Sequence, residues 1–298
     1  MGGSSGMARG TPVLLAAGFE TSSLGASLPG VGKCDDAGLD ASAGIRHSRH
    51  YGRAACLAGA TAASLRRRSA QPAERTGLLC NGGPWNLNSS WDFLSRAREA
   101  GPGYINPIRF PPTLVSATPT AVAASIGAHA FSYVVGHDCF AFFDVLERAM
   151  QALRHGYANR VFALAISASD HAIGLASKMA SLNEPLDVGL GFGLGANGSE
   201  GDLSLVDVVN DEDSLDLYPA AVRYDALLTA GSLSFPLWLP LVGGEAYGAT
   251  AAVLIVAAAM HHGRLPDEST QRECAVTFRD PTRFAAAVLR INGRPCFR

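Results

Sequence analysis

The sequence predicts an α/β fold with at least one parallel sheet, and three observations carry that reading. Phe140–His155 (FAFFDVLERAMQALRH) places apolar residues at 142, 143, 146, 149, 150 and 153, the spacing of a helix with one buried face. Arg160–Ala168 (RVFALAISA) is almost wholly apolar, as a strand covered on both faces is. Tyr133-Val134-Val135, just upstream, is aromatic and β-branched, which favours a strand. Strand, helix and strand in succession form a βαβ unit, which implies parallel strands and a right-handed crossover.

The other elements follow in chain order. A short strand is expected at Pro12–Ala16, ended by the turn residue Gly18. The rest of residues 1–75 has weak periodicity and reads as a loop or as one helix around Ala54–Arg67, with Arg66–Arg68 as its solvated end. Gly77–Cys80 is a short apolar run broken by Asn81-Gly82-Gly83-Pro84, and Trp91–Glu99 has helical spacing. Asn106–Pro112 holds three prolines and must be extended or turning. Ala117–Ile126 is a helix of small residues that permits close packing. The helix at 140–155 stops at Gly156, the glycine expected beyond a C-terminus. Residues 187–209 are glycine-rich and end in the alternating stretch Leu203–Val209. Between Asp202 and Asp225 stand seven acids against one arginine, a solvated loop or strand edge. Gly243–His262 is a buried helix, and Cys274–Phe278 and Ala286–Ile291 are closing strands.

Length and composition narrow the function. The 298 residues allow one large domain or two packed halves, at about 100–200 residues per domain. With 48% hydrophobic and 17% charged residues the chain is not disordered, and its shortage of charge points to an oligomer that hides part of its surface. A net charge of −2 argues against a nucleic-acid binder. The six cysteines, at 34, 56, 80, 139, 274 and 296, include no C-x-x-C pair and no zinc-ligand spacing, so neither metal nor cofactor is expected. No signal peptide is visible, which places the chain in a reducing cytoplasm. The apolar run Gly248–Met260 has 13 residues, short of the roughly 20 a bilayer span needs, so no membrane is expected.

The candidate for chemistry is Cys139, where the strand ends and the helix begins. A cysteine on such an elbow faces the partial positive charge of the helix N-terminus, which stabilises a thiolate and suits acyl transfer through a thioester. The competing reading is a buried, inert thiol. His137 on the same turn, His171 after the next strand, His261 and His262 at a helix end and His129 on a connection have structural explanations, and none is fixed near Cys139 by spacing.

The run SYVVGHDCFAFFDVLERAMQALRHGYANRVFALAISA resembles the active-site region of β-ketoacyl synthases, which have the thiolase fold. In that family a strand leads to the acyl-accepting cysteine, then to a long helix ending Ala-Leu-Arg-x-Gly, then to a buried strand. Ala152-Leu153-Arg154-His155-Gly156 matches, and Cys139 falls on the nucleophile. Residues 106–117 (NPIRFPPTLVSA) resemble the family's Phe-Pro-x-Thr-x-x-x-Ala segment. Val242–Val256 and the following Met260–Pro266 resemble its late Gly-His…Ala-Leu-Arg-x-Gly-x-x-Pro segment. The likeness covers roughly residues 77–266, in the correct order. It implies a thiolase-like α/β fold of two packed halves with mixed or parallel central sheets. The halves are expected at 1–185 and 186–298, the second abbreviated. It also implies dimerisation through the strand before the nucleophile, around Phe131, Tyr133, Val134 and Val135.

The departures point to function. An elongating ketosynthase uses its cysteine with two histidines, the first in His-Gly-Thr-Gly-Thr. No such motif exists here, Gly244 stands at the second histidine's position, and the Gly-Phe-Gly-Gly-Thr-Asn segment is missing. The resemblance therefore implies a chain length factor: a non-elongating partner, without catalytic activity of its own, in a type II polyketide or polyene synthase. Such a subunit forms a heterodimer, or a dimer of heterodimers, with an active ketosynthase, meets the acyl carrier protein through the complex and shapes the acyl tunnel. Candidate tunnel residues are Thr118, Ala121, Ser125, Phe140, Phe142 and Phe143, with core packing as the plainer reading of the three rings. Chain length factors of aromatic systems usually replace the cysteine, whereas Cys139 is kept. The alternative is a Cys139-dependent acyltransferase that does not decarboxylate, and a third is a purely structural pseudoenzyme.

Overall fold

The computed structural model describes residues 15–20, 32–33, 44–45, 51–68, 75–82, 86–136, 138–168, 188–195, 203–219, 221–229, 232–234, 249–262, 273–279 and 282–291. The first part contains β1 (Leu15–Glu20), β2 (Gly32–Lys33), α1 (Gly52–Arg68), β3 (Thr76–Asn81) and α2 (Leu87–Ala100). Short 3-10 turns at Pro102–Tyr104, Pro107–Arg109 and Pro111–Thr113 follow, then α3 (Ala117–Ile126), β4 (Phe131–Val135), α4 (Ala141–Arg154), β5 (Arg160–Ser167) and β6 (Val188–Gly195). The remainder holds β7 (Leu203–Val209), a 3-10 turn at Asp213–Leu217, β8 (Val222–Thr229), β9 (Ser232–Ser234), α5 (Thr250–His262), β10 (Glu273–Arg279) and β11 (Phe284–Ile291).

The strands form two mixed sheets, ordered β2-β1-β6-β5-β3-β4 and β7-β11-β10-β8-β9. Apart from the two-residue β2, both sheets obey one rule. The first, fifth, fourth, second and third strands of each set lie side by side in that order. The fifth is antiparallel to both neighbours in each sheet. The halves are topological copies although no residue repeat marks them. The expected division at 185/186 falls just before β6, which is paired into the first sheet.

The second set is abbreviated at two connections. Between β3 and β4 the chain builds α2, α3 and three turns, and β4 returns parallel to β3. Between β8 and β9 stand only residues 230 and 231, and the three-residue β9 folds back antiparallel. The β7–β8 connection carries a single 3-10 turn where the first set carries α1.

The middle of the molecule is filled by α4 and α5, each preceding the fourth strand of its set. Phe140, Phe143, Leu146 and Met150 share one buried cluster with Leu254 and Ile255 of α5. Strand residues from both sheets close it, among them Leu79, Phe192, Val276 and Phe278. A second cluster lies across the first sheet, where α1 and α3 cover Leu78, Cys80, Phe162, Leu164 and Ile166. This explains the apolar character of β5, since Val161, Ala163 and Ala165 face inward while their neighbours face α1 and α3. It also explains α5, whose residues 251–256 are all buried, as a helix apolar all round must be.

The glycine-rich stretch conceals β6. Leu190, Phe192 and Leu194 face the inner cluster. On the other side a Cβ at Gly191 would lie 2.6 Å from Thr61 Cγ2 and 2.8 Å from Leu65 Cδ1. The glycine lets α1 rest against the strand backbone. Other boundaries shift modestly. β1 is described from Leu15 to Glu20 instead of ending at 16, and the described helix α5 begins at Thr250. The acidic stretch holds β7, a turn and the start of β8. Among the described residues no helix is long and apolar enough to cross a membrane.

Asn81 closes the gap between β3 and β5 at the end that carries Cys139. Its buried amide accepts from Ile166 N–H at 2.7 Å and donates to Ile166 C=O at 2.9 Å, extending the ladder with a side chain. Asn81→Ala leaves both backbone groups unpaired in the core. The expected cost is about 2–6 kcal/mol at roughly 1–3 kcal/mol per orphaned group, read from urea unfolding.

Burial pushes the Cys274 thiol up to about 12. Burial, and then the hydrogen bond its hydroxyl donates to Asp207 Oδ2 at 2.8 Å, push Tyr218 up to about 12. Burial, with Cys274 beside it, does the same to Tyr224. These folded values exceed the ordinary 9.0 and 10.0, so the neutral forms stabilise the fold fully below pH 9. Stability is expected to fall as pH rises through about 9 to 12, in urea midpoints measured across that range, and Tyr218→Phe flattens the decline above pH 10.

Candidate functional site

β4 ends at Val135, and α4 starts at Ala141. Gly136 between them has φ +67°, and a Cβ there would stand 2.7 Å from Ala141 Cα and 3.1 Å from Asp144 Oδ2. Only glycine allows so tight a join. Asp138 then shapes the turn. Its Oδ1 accepts from Phe140 N–H at 2.9 Å, and its carbonyl accepts from Ala141 N–H at 3.1 Å. Cys139 sits between these contacts as a thiol outside any disulfide, half-buried against the inner cluster.

An arginine from the other sheet completes the site. Arg283, the residue before β11, donates through Nη2 to Asp144 Oδ1 and places Nη1 3.5 Å from Asp138 Oδ2. Its guanidinium carbon lies 4.8 Å from the centre of the Phe140 ring. Burial works against its charge. The Asp144 hydrogen bond, the charges of Asp144 and Asp138 and that of Cys139 more than offset this and hold the guanidinium above its ordinary value.

This arrangement differs from a working nucleophile elbow in two respects. A helix N-terminus stabilises a thiolate or an oxyanion through free N–H groups. Here the Phe140 and Ala141 N–H groups are taken by Asp138. In addition, Arg283 is drawn across the turn by Asp138 and Asp144. Among the described residues no three His, Cys, Asp or Glu side chains come together as metal ligands.

No protein family and no curated protein matches the chain by sequence. Solved structures do match. The ishigamide ketosynthase/chain length factor is 17% identical with a TM-score of 0.71, over 95% of this chain and 100% of that one. A chain of the AntDE:AntF complex, a type II PKS acyl-carrier protein with its ketosynthase bound to the hexaketide, is 14% identical with a TM-score of 0.58. That match covers 83% of this chain and 86% of that one. A chain of the ketosynthase ApeO in complex with its chain length factor ApeC, from Xenorhabdus doucetiae, is 10% identical with a TM-score of 0.52. It spans 94% of this chain and 99% of that one. The chain has the ketosynthase/chain length factor fold.

Within the ketosynthase fold the site candidates separate. Cys139 stands at the strand–helix turn where the sequence put it. Phe140, Phe142 and Phe143 are all buried. Phe140 and Phe143 approach Phe278, with ring centres 4.8 and 6.5 Å away, and Phe142 meets Phe192 at 5.1 Å. Thr118, Ala121 and Ser125 lie on α3, the helix packed with α1 across the first sheet. Thr118 is buried, Ala121 is half-buried, and exposed Ser125 bonds its own helix at Val122 C=O, 2.7 Å away. The structure does not bring the two tunnel sets together, because β3 and β5 run between them.

The strand candidates alternate. Phe131 and Val135 pack on the inner cluster and Val134 on the outer one, all three half-buried. Tyr133 is 60% exposed and stacks on Phe131 at 5.6 Å. His129 is exposed on the α3–β4 connection. His137, His171 and Gly244 lie outside the described residues, as do the side chains of His261 and His262. Arg283 escaped the sequence reading because an arginine in the polar turn RDPTRF looks like any solvated charge.

Proposed function

We propose that the chain is a chain length factor-like, non-elongating partner of a β-ketoacyl synthase in type II polyketide or polyene biosynthesis. The observation that carries this reading is the Cys139 turn. The elbow is kept, but its helix N-terminus is occupied by Asp138, and Arg283 from the second half is fastened across it. The missing histidine motif and the abbreviated β8–β9 connection support it. So does the match to chains of ketosynthase/chain length factor complexes over nearly their full lengths. In this reading the chain completes the tunnel that receives the growing acyl chain and meets an acyl carrier protein through the complex. The expected compartment is the cytoplasm.

The partner's place is the open edge of the first sheet. β4 is the last strand and pairs only with β3 among the described residues. An edge strand offers unpaired N–H and C=O groups to a second chain, and exposed Tyr133 projects from it.

Two experiments test the proposal. Cys139→Ala is expected to leave product formation by the reconstituted pair largely intact. A loss of about a hundredfold or more in an assembled complex, about 2.7 kcal/mol of transition-state stabilisation, overturns it and favours the acyltransferase. Tyr133→Asp is expected to abolish the complex on size-exclusion chromatography while circular dichroism stays unchanged, because a carboxylate buried without a partner is strongly disfavoured. Val134→Asp is expected instead to unfold the chain. A Tyr133→Asp variant that still elutes with the ketosynthase removes β4 from the interface.

A further inference from the structure

Arg283 of the second half reaches the Cys139 turn of the first, beside the packing of Phe278 on Phe140 and Phe143. Arg283 belongs to the second sheet, while Asp138, Phe140 and Asp144 belong to the turn and first helical residues of the first half. Its guanidinium spans from Asp138, on one side of Cys139 in sequence, to Asp144 on the other, and lies over Phe140. The carboxylates differ in exposure, 23% at Asp144 and 58% at Asp138, so the inner bond is the sheltered one. Exposed pairs contribute little, whereas a sheltered charge-assisted hydrogen bond holds geometry. Gly136 supplies the complementary freedom. It is the only join between β4 and the turn with a left-handed backbone among the described residues, and it sits directly under Asp144.

We propose that Arg283 is a latch that keeps the Cys139 turn closed, and that a reagent or acyl donor reaches Cys139 only when the Arg283 bridge to Asp138 and Asp144 opens. Arg283 is thus a positioning residue acting on Cys139 through the two carboxylates. The latch is distinct from an electrostatic role, and the two have opposite signatures. If Arg283 acted only by its charge, removing it would slow thiol alkylation by depriving the thiolate of a cation, and removing Asp144 would speed it. If it acts as a latch, either removal opens the turn and both speed it.

The test is alkylation of the full-length protein, in the assembly in which it purifies, by the neutral reagent iodoacetamide, with each cysteine followed by peptide mass spectrometry. Arg283→Ala and Asp144→Asn are each expected to raise the rate at Cys139 by about tenfold, equivalent to losing about 1.4 kcal/mol of closure. Arg283→Lys keeps the charge without the fork and is expected to fall between wild type and Arg283→Ala. Cys56, Cys80 and Cys274, all buried in the same chain, are internal controls and stay unlabelled. Rates that move in opposite directions in Arg283→Ala and Asp144→Asn, or that do not move, overturn the latch. So does labelling of the three buried cysteines in step with Cys139, which marks general loosening. Should Arg283→Ala not fold, Arg283→Lys decides: a faster rate at Cys139 supports the latch, and an unchanged rate, as charge alone predicts, overturns it.

Discussion

Phe278 of β10 packs against Phe140 and Phe143 of α4, and much of the architecture depends on that contact. It is where the second sheet grips the helix of the first half. A buried ring of this kind contributes about 3–5 kcal/mol against truncation, so the three together fix the spacing of the halves. The grip lies at the start of α4, next to the residues that form the Cys139 turn. Packing between the halves and the geometry of the candidate site are therefore one feature. Arg283, five residues beyond Phe278, adds a polar tie to the same apolar seam.

The abbreviation of the second half follows from what its connections lack. A sheet needs cover on both faces, and in the first half α1 and α3 provide it on the outside. The outer face of the second sheet is met instead by a smaller cluster, in which Leu215 of the 3-10 turn packs with Val209, Ala275, Ala286 and Val288. The first half keeps its full complement of strands, and its third strand, β4, ends the sheet with an open edge. The half that carries the elbow thus has the longer connections, and the other half the shorter ones.

Much of the fold was legible because periodicity is loud where burial is one-sided or total. α3 was read to the residue, and α4 and β5 to within one at each end, since their apolar spacing records one buried face or two. β6 was hidden because its glycines, needed for the approach of α1, lower strand propensity. The elbow was legible from a break in pattern, strand to helix at Cys139. Its chemistry was not, because Asp138 and Asp144 read as an ordinary turn and an ordinary first helical turn. The tie to Arg283 joins residues 139 positions apart, and no local pattern encodes that. The tunnel candidates failed to converge for a related reason. Sequence order places α3 close to α4, but the parity of side chains along β3 decides which face of the sheet each helix covers, and it sends them to opposite faces.

Cys139 also fits its position by volume. The position is half-buried against the inner cluster, at the point where Gly136 draws the turn to within contact distance of Ala141 and Asp144. A small apolar side chain fits there, and cysteine behaves as one when unionised. Both carboxylates are fixed by hydrogen bonds, one to the helix N-terminus and one to Arg283. An elbow that served catalysis would spend its N–H groups on substrate charge and keep its own anions distant. This one spends the Phe140 and Ala141 groups on its own turn.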